Sequence, residues 1–276
     1  MFFTLNSTLK RAIFIATTVA VSIIFAFTAF YFKKDMHQQS LVIYLVFIQA
    51  VIIITFFTFK DSTSNRVLYI KKLKNPRLQE NSFLLTDILI QEFEYIRETA
   101  KQAMDDRHTM VNYFLLIAGG IFTIISSQFF KLEGTAPGAV SVGIVTVLAI
   151  VINVIGWIYF MHIVRLRQAW CSSAAAMNQI KEFYVVNGRV PDDLARSAFL
   201  WDSKSLPKPG KKSNVFYYSA MLISFVSATV IFFASWLLHT SGQTTSLSVF
   251  TFLIAIYHFL FQMFSYSLFL DYQPIR

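Results

Sequence analysis

Polar and small residues recur along one face of the last apolar segment of the chain. Their spacings of three and four residues place them on one side of a helix. The set is Ser248, Thr251, Ala255, His258, Gln262 and Ser265. His258 falls midway along the segment. An ionisable side chain among apolar residues is costly unless it faces protein or water, so His258 predicts a functional site.

Isolated polar residues also interrupt other apolar segments. We expect a pore-lining or intramembrane polar face formed by His258, Gln262, Thr251, Asn153, Asn112 and Gln49. The alternative is tight helix packing, because small and hydroxyl side chains let helices approach closely and bond across their interface.

Known catalytic and metal-binding patterns are missing from the sequence. It contains no glycine-rich phosphate loop, no nucleophile elbow, no His-x-x-x-His and only one cysteine, Cys171. We therefore expect no enzymatic activity, no catalytic residue, no metal and no cofactor. The run Asp105, Asp106, Arg107 and His108 has the residue types of an acid–base site, but a solvated charge cluster is the interpretation we favour.

The composition is typical of a membrane protein. Apolar residues make up 55% of the chain and charged residues only 14%, against about a quarter charged residues in an ordinary soluble domain. Runs without charge are long enough to cross hydrocarbon. The runs are 12–32, 41–59, 111–130, 139–162, 215–238 and 247–270. We expect an all-α integral membrane protein with six transmembrane helices in three hairpins.

Two of these spans continue beyond the membrane as helix-patterned segments, 84–110 and 163–186. Each carries an apolar stripe at helical spacing, interrupted in the first by Arg107. Similar lengths predict an antiparallel cytoplasmic stalk in which the numbers of facing residues add to about 274. That register pairs Glu94 with Lys181, and either Asp105 or Asp106 with Arg167. The alternative is two amphipathic helices that pack on something else.

The chain is therefore expected to divide into five parts. They are an N-terminal transmembrane hairpin (1–59), a basic linker (60–81), a central hairpin with its stalk (82–188), an interfacial helix with a second basic linker (189–213), and a C-terminal transmembrane hairpin (214–276).

Lysine and arginine fall unevenly on the two sides of the predicted topology. One side carries 21 of the 24 basic residues and the other carries 3. Because basic residues stay cytoplasmic, we expect both termini in the cytoplasm and the protein in the inner (plasma) membrane of a bacterium. We interpret the basic linkers as segments that fix topology and lie near anionic lipid, in preference to a nucleic-acid site.

These features leave three classes of function. The first is an oligomeric channel or membrane-perturbing effector controlled through the stalk. The second is a receptor or scaffold whose stalk binds a cytosolic protein. The third is a transporter or lipid-handling protein, which one histidine without an acidic neighbour supports least. The predicted architecture combines short outer loops with a large helical cytoplasmic module. In this architecture alone, the chain resembles bacterial membrane effectors of phage-defence systems. No motif assigns it to a family.

Overall fold

The described part of the chain is built from α-helices. The computed structural model describes residues 82–130, 139–187, 214–240 and 247–270, together with two isolated helical positions, Ala16 and Ala20. Within these ranges there is no strand. The helices are α1 (Ser82–Phe130), α2 (Ala139–Asn187), α3 (Val215–Thr240) and α4 (Leu247–Leu270). The predicted N-terminal hairpin, both linkers and Gln49 lie outside the described residues.

Helices α1 and α2 have 49 residues each, which corresponds to about 73 Å at the rise of an α-helix. Neither contains a proline, so the backbone hydrogen-bond ladder is not interrupted along either length. A bilayer core is only about 30 Å thick. Each helix is therefore long enough to span hydrocarbon and to project well beyond it.

Three of the described helices, α1, α2 and α3, are long and apolar enough to cross a membrane. The described side chains of α4 form a shorter apolar stretch, Ala255–Leu270. Helix α3 begins at a defined cap, because the side-chain oxygen of Asn214 accepts a hydrogen bond from the backbone N–H of Tyr217 at 2.8 Å. Asparagine is a preferred residue at this position because it satisfies a donor that the helix leaves unpaired.

Helix α2 lies at the centre of the bundle. It packs extensively against α1 and α3, and α3 packs extensively against α4, whereas the α1–α3 and α2–α4 contacts are smaller. Thr99 of α1 and Ser173 of α2 are hydrogen-bonded at 3.1 Å, and the rings of Phe114 and Tyr159 lie 5.7 Å apart. The residue numbers of these two pairs add to 272 and 273, so α1 and α2 run antiparallel.

The apolar core forms where α1, α2 and α3 meet. Phe114 on α1, Phe160 on α2 and Ile223 on α3 are fully buried. The ring of Trp157 stacks on that of Phe160 at 5.2 Å. Stacked aromatic pairs contribute about 0.5–1.5 kcal/mol beyond the area they bury. This core holds the polar residues of α2, α3 and α4 in fixed positions.

Candidate intramembrane polar site

Two polar side chains of α4 are buried without complete hydrogen bonding. His258 is 5% exposed and Gln262 is 0% exposed. The Nε2 atom of His258 and both polar atoms of the Gln262 amide have no hydrogen-bond partner among the described residues. Leaving such groups unpaired costs about 1–3 kcal/mol each on protein mutational scales.

Helices α2 and α3 bring two further unpaired polar atoms into the bundle. Asn153 donates its amide to the backbone oxygen of Ala149 at 2.9 Å, but its Oδ1 has no partner among the described residues. The Oγ of Ser227 is also buried and unpaired there. It lies against Gly156, where an added Cβ would be 2.5 Å from this oxygen.

The helix registers give the positions of these groups along the bundle, where they spread over about two and a half helical turns. Gly156 faces Ser227 and Arg167 faces Phe216, so facing residues of α2 and α3 have numbers that add to 383. Ring contacts set the register of α3 and α4 in the same way: Tyr217 lies 5.7 Å from Tyr266.

The second register, in which numbers add to 483, places Ser227 two positions from His258 along the axis. Asn153 and Gln262 lie about one helical turn to either side, a spacing of about 5.4 Å. We call Asn153, Ser227, His258 and Gln262 the polar level.

Two other buried serine hydroxyls nearby are satisfied within their own helices. Ser224 donates to the backbone oxygen of Ala220 at 2.8 Å, and Ser265 donates to that of Phe261 at 2.8 Å. Such bonds are the usual arrangement for serine inside an apolar helix. These two serines therefore serve packing, whereas the residues of the polar level carry polar atoms without a partner among the described residues.

Three of the expected polar residues, His258, Gln262 and Asn153, are buried within the bundle. Asn112 is exposed on α1, so it belongs to a different surface. The side chain of Thr251 and the whole of Gln49 lie outside the described residues.

Sequence reasoning did not select Ser227. It missed Gly156 and the buried indole nitrogen of Trp157, which has no partner among the described residues. A glycine in the middle of a span was the available signal for a close helix approach.

The expected stalk pairs stay predictions. Glu94 and Asp105 are exposed, Lys181 is half-buried and Arg167 is buried. An ion pair that the structure does show on α1 joins Glu98 to Lys101 within the helix, at 3.8 Å.

Arg107 was expected to interrupt the apolar stripe of α1 and to belong to a solvated charge cluster, and that expectation was wrong. Its side chain is only 2% exposed, although Asp105 and His108 beside it are exposed. The reason is its position on the stripe, where its guanidinium lies 5.2 Å from the centre of the Phe216 ring. The side chain packs as a long apolar stem with a flat cationic end.

Burial changes the ionisation of three groups near the start of α3. It lowers the pKa of the Arg107 and Arg165 guanidinium groups, and it raises the pKa of the Cys171 thiol, an effect that the charge of Arg167 partly offsets. Arginine nevertheless stays charged at any physiological pH. Cys171 is buried and free, so it behaves as a small packing residue.

The polar level has the chemistry of a binding or hydration site. It offers amide, hydroxyl and imidazole groups, and no carboxylate is buried anywhere in the described bundle. The described residues also hold no group of three histidine, cysteine or acidic side chains suited to a metal ion. Water or a small polar solute would satisfy the unpaired atoms.

Comparisons of the chain with protein-family models, with curated proteins and with solved structures found no match. The functional argument therefore depends on the geometry of the chain itself.

Proposed function

We propose that the protein is a channel or membrane-perturbing effector in which the cytoplasmic helices control a polar pathway through the membrane bundle. The observation that supports this proposal is the polar level, where Ser227, His258 and Gln262 are buried and carry polar atoms that have no partner among the described residues. Such atoms are costly in a permanently dry interior. A pathway that admits water or ions to this level supplies the missing hydrogen-bond partners.

In this proposal, the continuous helices α1 and α2 transmit a movement of the stalk to the polar level. Each helix runs unbroken from its cytoplasmic end into the membrane bundle. At the polar level the two helices meet α3, because a Cβ on Gly156 would contact both Phe114 of α1 and Ser227 of α3. Small sliding or tilting movements of packed helices are a common form of gating. A signal received by the stalk would reach the polar level in this way.

The same proposal includes the topology and assembly of the protein. We propose six spans in three hairpins with cytoplasmic termini, in a bacterial inner membrane. We also propose a homo-oligomer that acts in defence of the cell. Support comes from the 21 basic residues on one side of the predicted topology against 3 on the other. An oligomer would also give the exposed apolar faces of the spans a protein neighbour.

Cysteine labelling tests whether the polar level is wet. Single cysteines replace His258, Ser227 or the lipid-facing Phe252, which is 56% exposed, in a Cys171→Ala background. We expect a small membrane-impermeant thiol reagent to modify positions 258 and 227 in intact membranes and to leave position 252 unmodified. The reverse pattern, or no labelling at 258 and 227, would contradict a watery pathway.

Conduction is tested by expression in cells with simultaneous recording of membrane potential and dye entry. The wild type and the Phe252→Leu control should depolarise the cells, and His258→Phe and Asn153→Leu should weaken that response at equal protein levels. If both polar-level variants still depolarise the cells as the wild type does, conduction does not depend on the polar level.

A protein scaffold is the second candidate, and the surface of the stalk favours it. Ile88, Ile90 and Tyr95 are 50–67% exposed near the start of α1, and exposed apolar side chains commonly mark a docking surface. If the protein acts only as a scaffold, Ile90→Glu should abolish its cellular effect and His258→Phe should not. The channel proposal predicts a loss with His258→Phe.

A further inference from the structure

The last turn of α4 is bound directly to α2 by a side-chain hydrogen bond. The Nε2 of Gln168 on α2 donates to the backbone oxygen of Phe269 at 3.1 Å, across 101 positions of the sequence. Both residues are buried, with 8% of Gln168 and 3% of Phe269 exposed. Carbonyl groups in the last turn of a helix take their hydrogen-bond partners from outside that helix. Gln168 therefore caps α4 with a donor that belongs to another helix.

Aromatic rings pack at the same end of α4. Tyr266 is fully buried, and its ring lies 6.4 Å from that of Phe160 on α2 and 5.7 Å from that of Tyr217 on α3. Within the described residues the interface between α2 and α4 is small. The ring contact and the Gln168 bond both fall in its part near Leu270. These contacts hold the Leu270 end of α4 against α2.

The bond joins the stalk to the helix that carries His258 and Gln262. Gln168 follows the uncharged run 139–162 and belongs to the stalk segment 163–186. On α4, His258 and Gln262 lie 11 and 7 residues before Phe269, which corresponds to about 16 Å and 10 Å along the helix. A displacement of α2 at Gln168 would therefore reach the polar level through α4 directly, without passing through α3.

A hydrogen bond that forms in one arrangement of the helices stabilises that arrangement against the others. In the arrangement that the structure shows, His258 and Gln262 are buried. We propose that Gln168 is a latch, a positioning residue that holds the end of α4 on α2 and thereby keeps the polar level closed. A stalk movement that breaks the bond releases α4 and favours the state in which water enters. This inference rests on the proposed function, because a latch requires a pathway that it can close.

Spin-label distances in the full-length protein test the position of α4. Labels at Ile158 on α2 and Leu260 on α4, which are 60% and 58% exposed, report the α2–α4 distance in nanodiscs in a Cys171→Ala background. Gln168→Met keeps the length of the side chain and removes the donor. It should shift this distance by about 1–2 Å, the usual size of helix shifts at packed interfaces. The distance from Ile158 to a label at the exposed Leu116 on α1 should stay the same. An unchanged α2–α4 distance, or an equal shift in both distances, overturns the latch.

Thiol labelling measures the effect of the latch on the polar level. In the His258→Cys, Cys171→Ala protein, Gln168→Met should speed modification by a membrane-impermeant reagent roughly fivefold, the factor that one net hydrogen bond is worth. Gln179→Met makes the same change at a partly buried position of α2 and should leave the rate as it was. A measurable rate that Gln168→Met does not raise, or an equal rise with Gln179→Met, would contradict the latch. If position 258 is never labelled, the watery pathway fails, and the spin-label distances still decide whether Gln168 holds α4.

Discussion

A methyl group added at Gly156 should test the close approach of α2 and α3. The new Cβ would lie 2.5 Å from the Oγ of Ser227 and 3.4 Å from Cε2 of Phe114. Real carbon atoms do not come so near an oxygen, so Ser227 must turn or the helices must separate. Overpacking of this kind costs about 1–3 kcal/mol, and replacing glycine by alanine within a helix returns about 1 kcal/mol. We expect Gly156→Ala to destabilise the protein by about 1 kcal/mol.

Ser227→Ala should reverse the sign of this effect. Without the hydroxyl, the added methyl meets no oxygen, and only the helix-propensity gain of about 1 kcal/mol remains. The double-mutant cycle should therefore show a coupling of about 2 kcal/mol, within the range for residues in contact. Ser227→Ala alone should be near neutral or slightly stabilising, because its oxygen is buried and unpaired among the described residues.

The assay is the free energy of unfolding, measured by titrating dodecyl sulfate into dodecylmaltoside micelles. Gly119 and Gly120 provide matched controls, because an added Cβ at either position meets nothing within 4 Å. Alanine there should be neutral or stabilising. The packing argument would be refuted if Gly156→Ala behaved like these controls with Ser227 still in place.

Three further perturbations address the stalk, a buried thiol and the core. Cysteines replacing Thr99 and Ser173, whose hydroxyls are 3.1 Å apart, should form a disulfide under mild oxidation in a Cys171→Ala background, and neither single variant should gain an intramolecular band. Burial raises the pKa of Cys171, so the unfolded thiol ionises first as pH rises. The unfolding free energy should then fall with pH only above the ordinary thiol pKa, and Cys171→Ala should remove that slope. Phe114→Ala should cost about 3–5 kcal/mol, against less than about 0.5 kcal/mol for Leu116→Ala, whose side chain is 73% exposed.

Helix positions were the most predictable part of the fold. Uncharged runs and helical spacing placed α2 at 139–186, and the structure has Ala139–Asn187. The run expected for α4, 247–270, coincides with Leu247–Leu270. These boundaries depend on local properties, chiefly continuous apolar residues and the prolines and glycines between them. The α1–α2 register was expected at 274 and lies at 272–273, because equal helix lengths and one short turn leave little freedom.

Side-chain environments were less predictable because they depend on neighbouring helices. The sequence selected His258 and Gln262 from their spacing, but it grouped Asn112 with them, although Asn112 is exposed and they are buried. Arg107 was expected in solvent because most arginines are there. Its burial follows from Phe216, more than 100 residues away in sequence, and no local pattern contains that information.

The continuity of α1 determines how a movement of the stalk would reach the polar level. Arg107 lies 25 residues from the start of α1 at Ser82 and 7 residues from Phe114, distances of about 38 Å and 10 Å along the helix. A tilt of a rigid helix about the level of Arg107 would move its Ser82 end three to four times as far as Phe114. A Cβ built on Gly156 would lie 3.4 Å from the Phe114 ring, so the ring packs close to this glycine, and about 1 Å of displacement is enough to loosen that packing. A displacement of about 4 Å at the Ser82 end of α1 would therefore suffice.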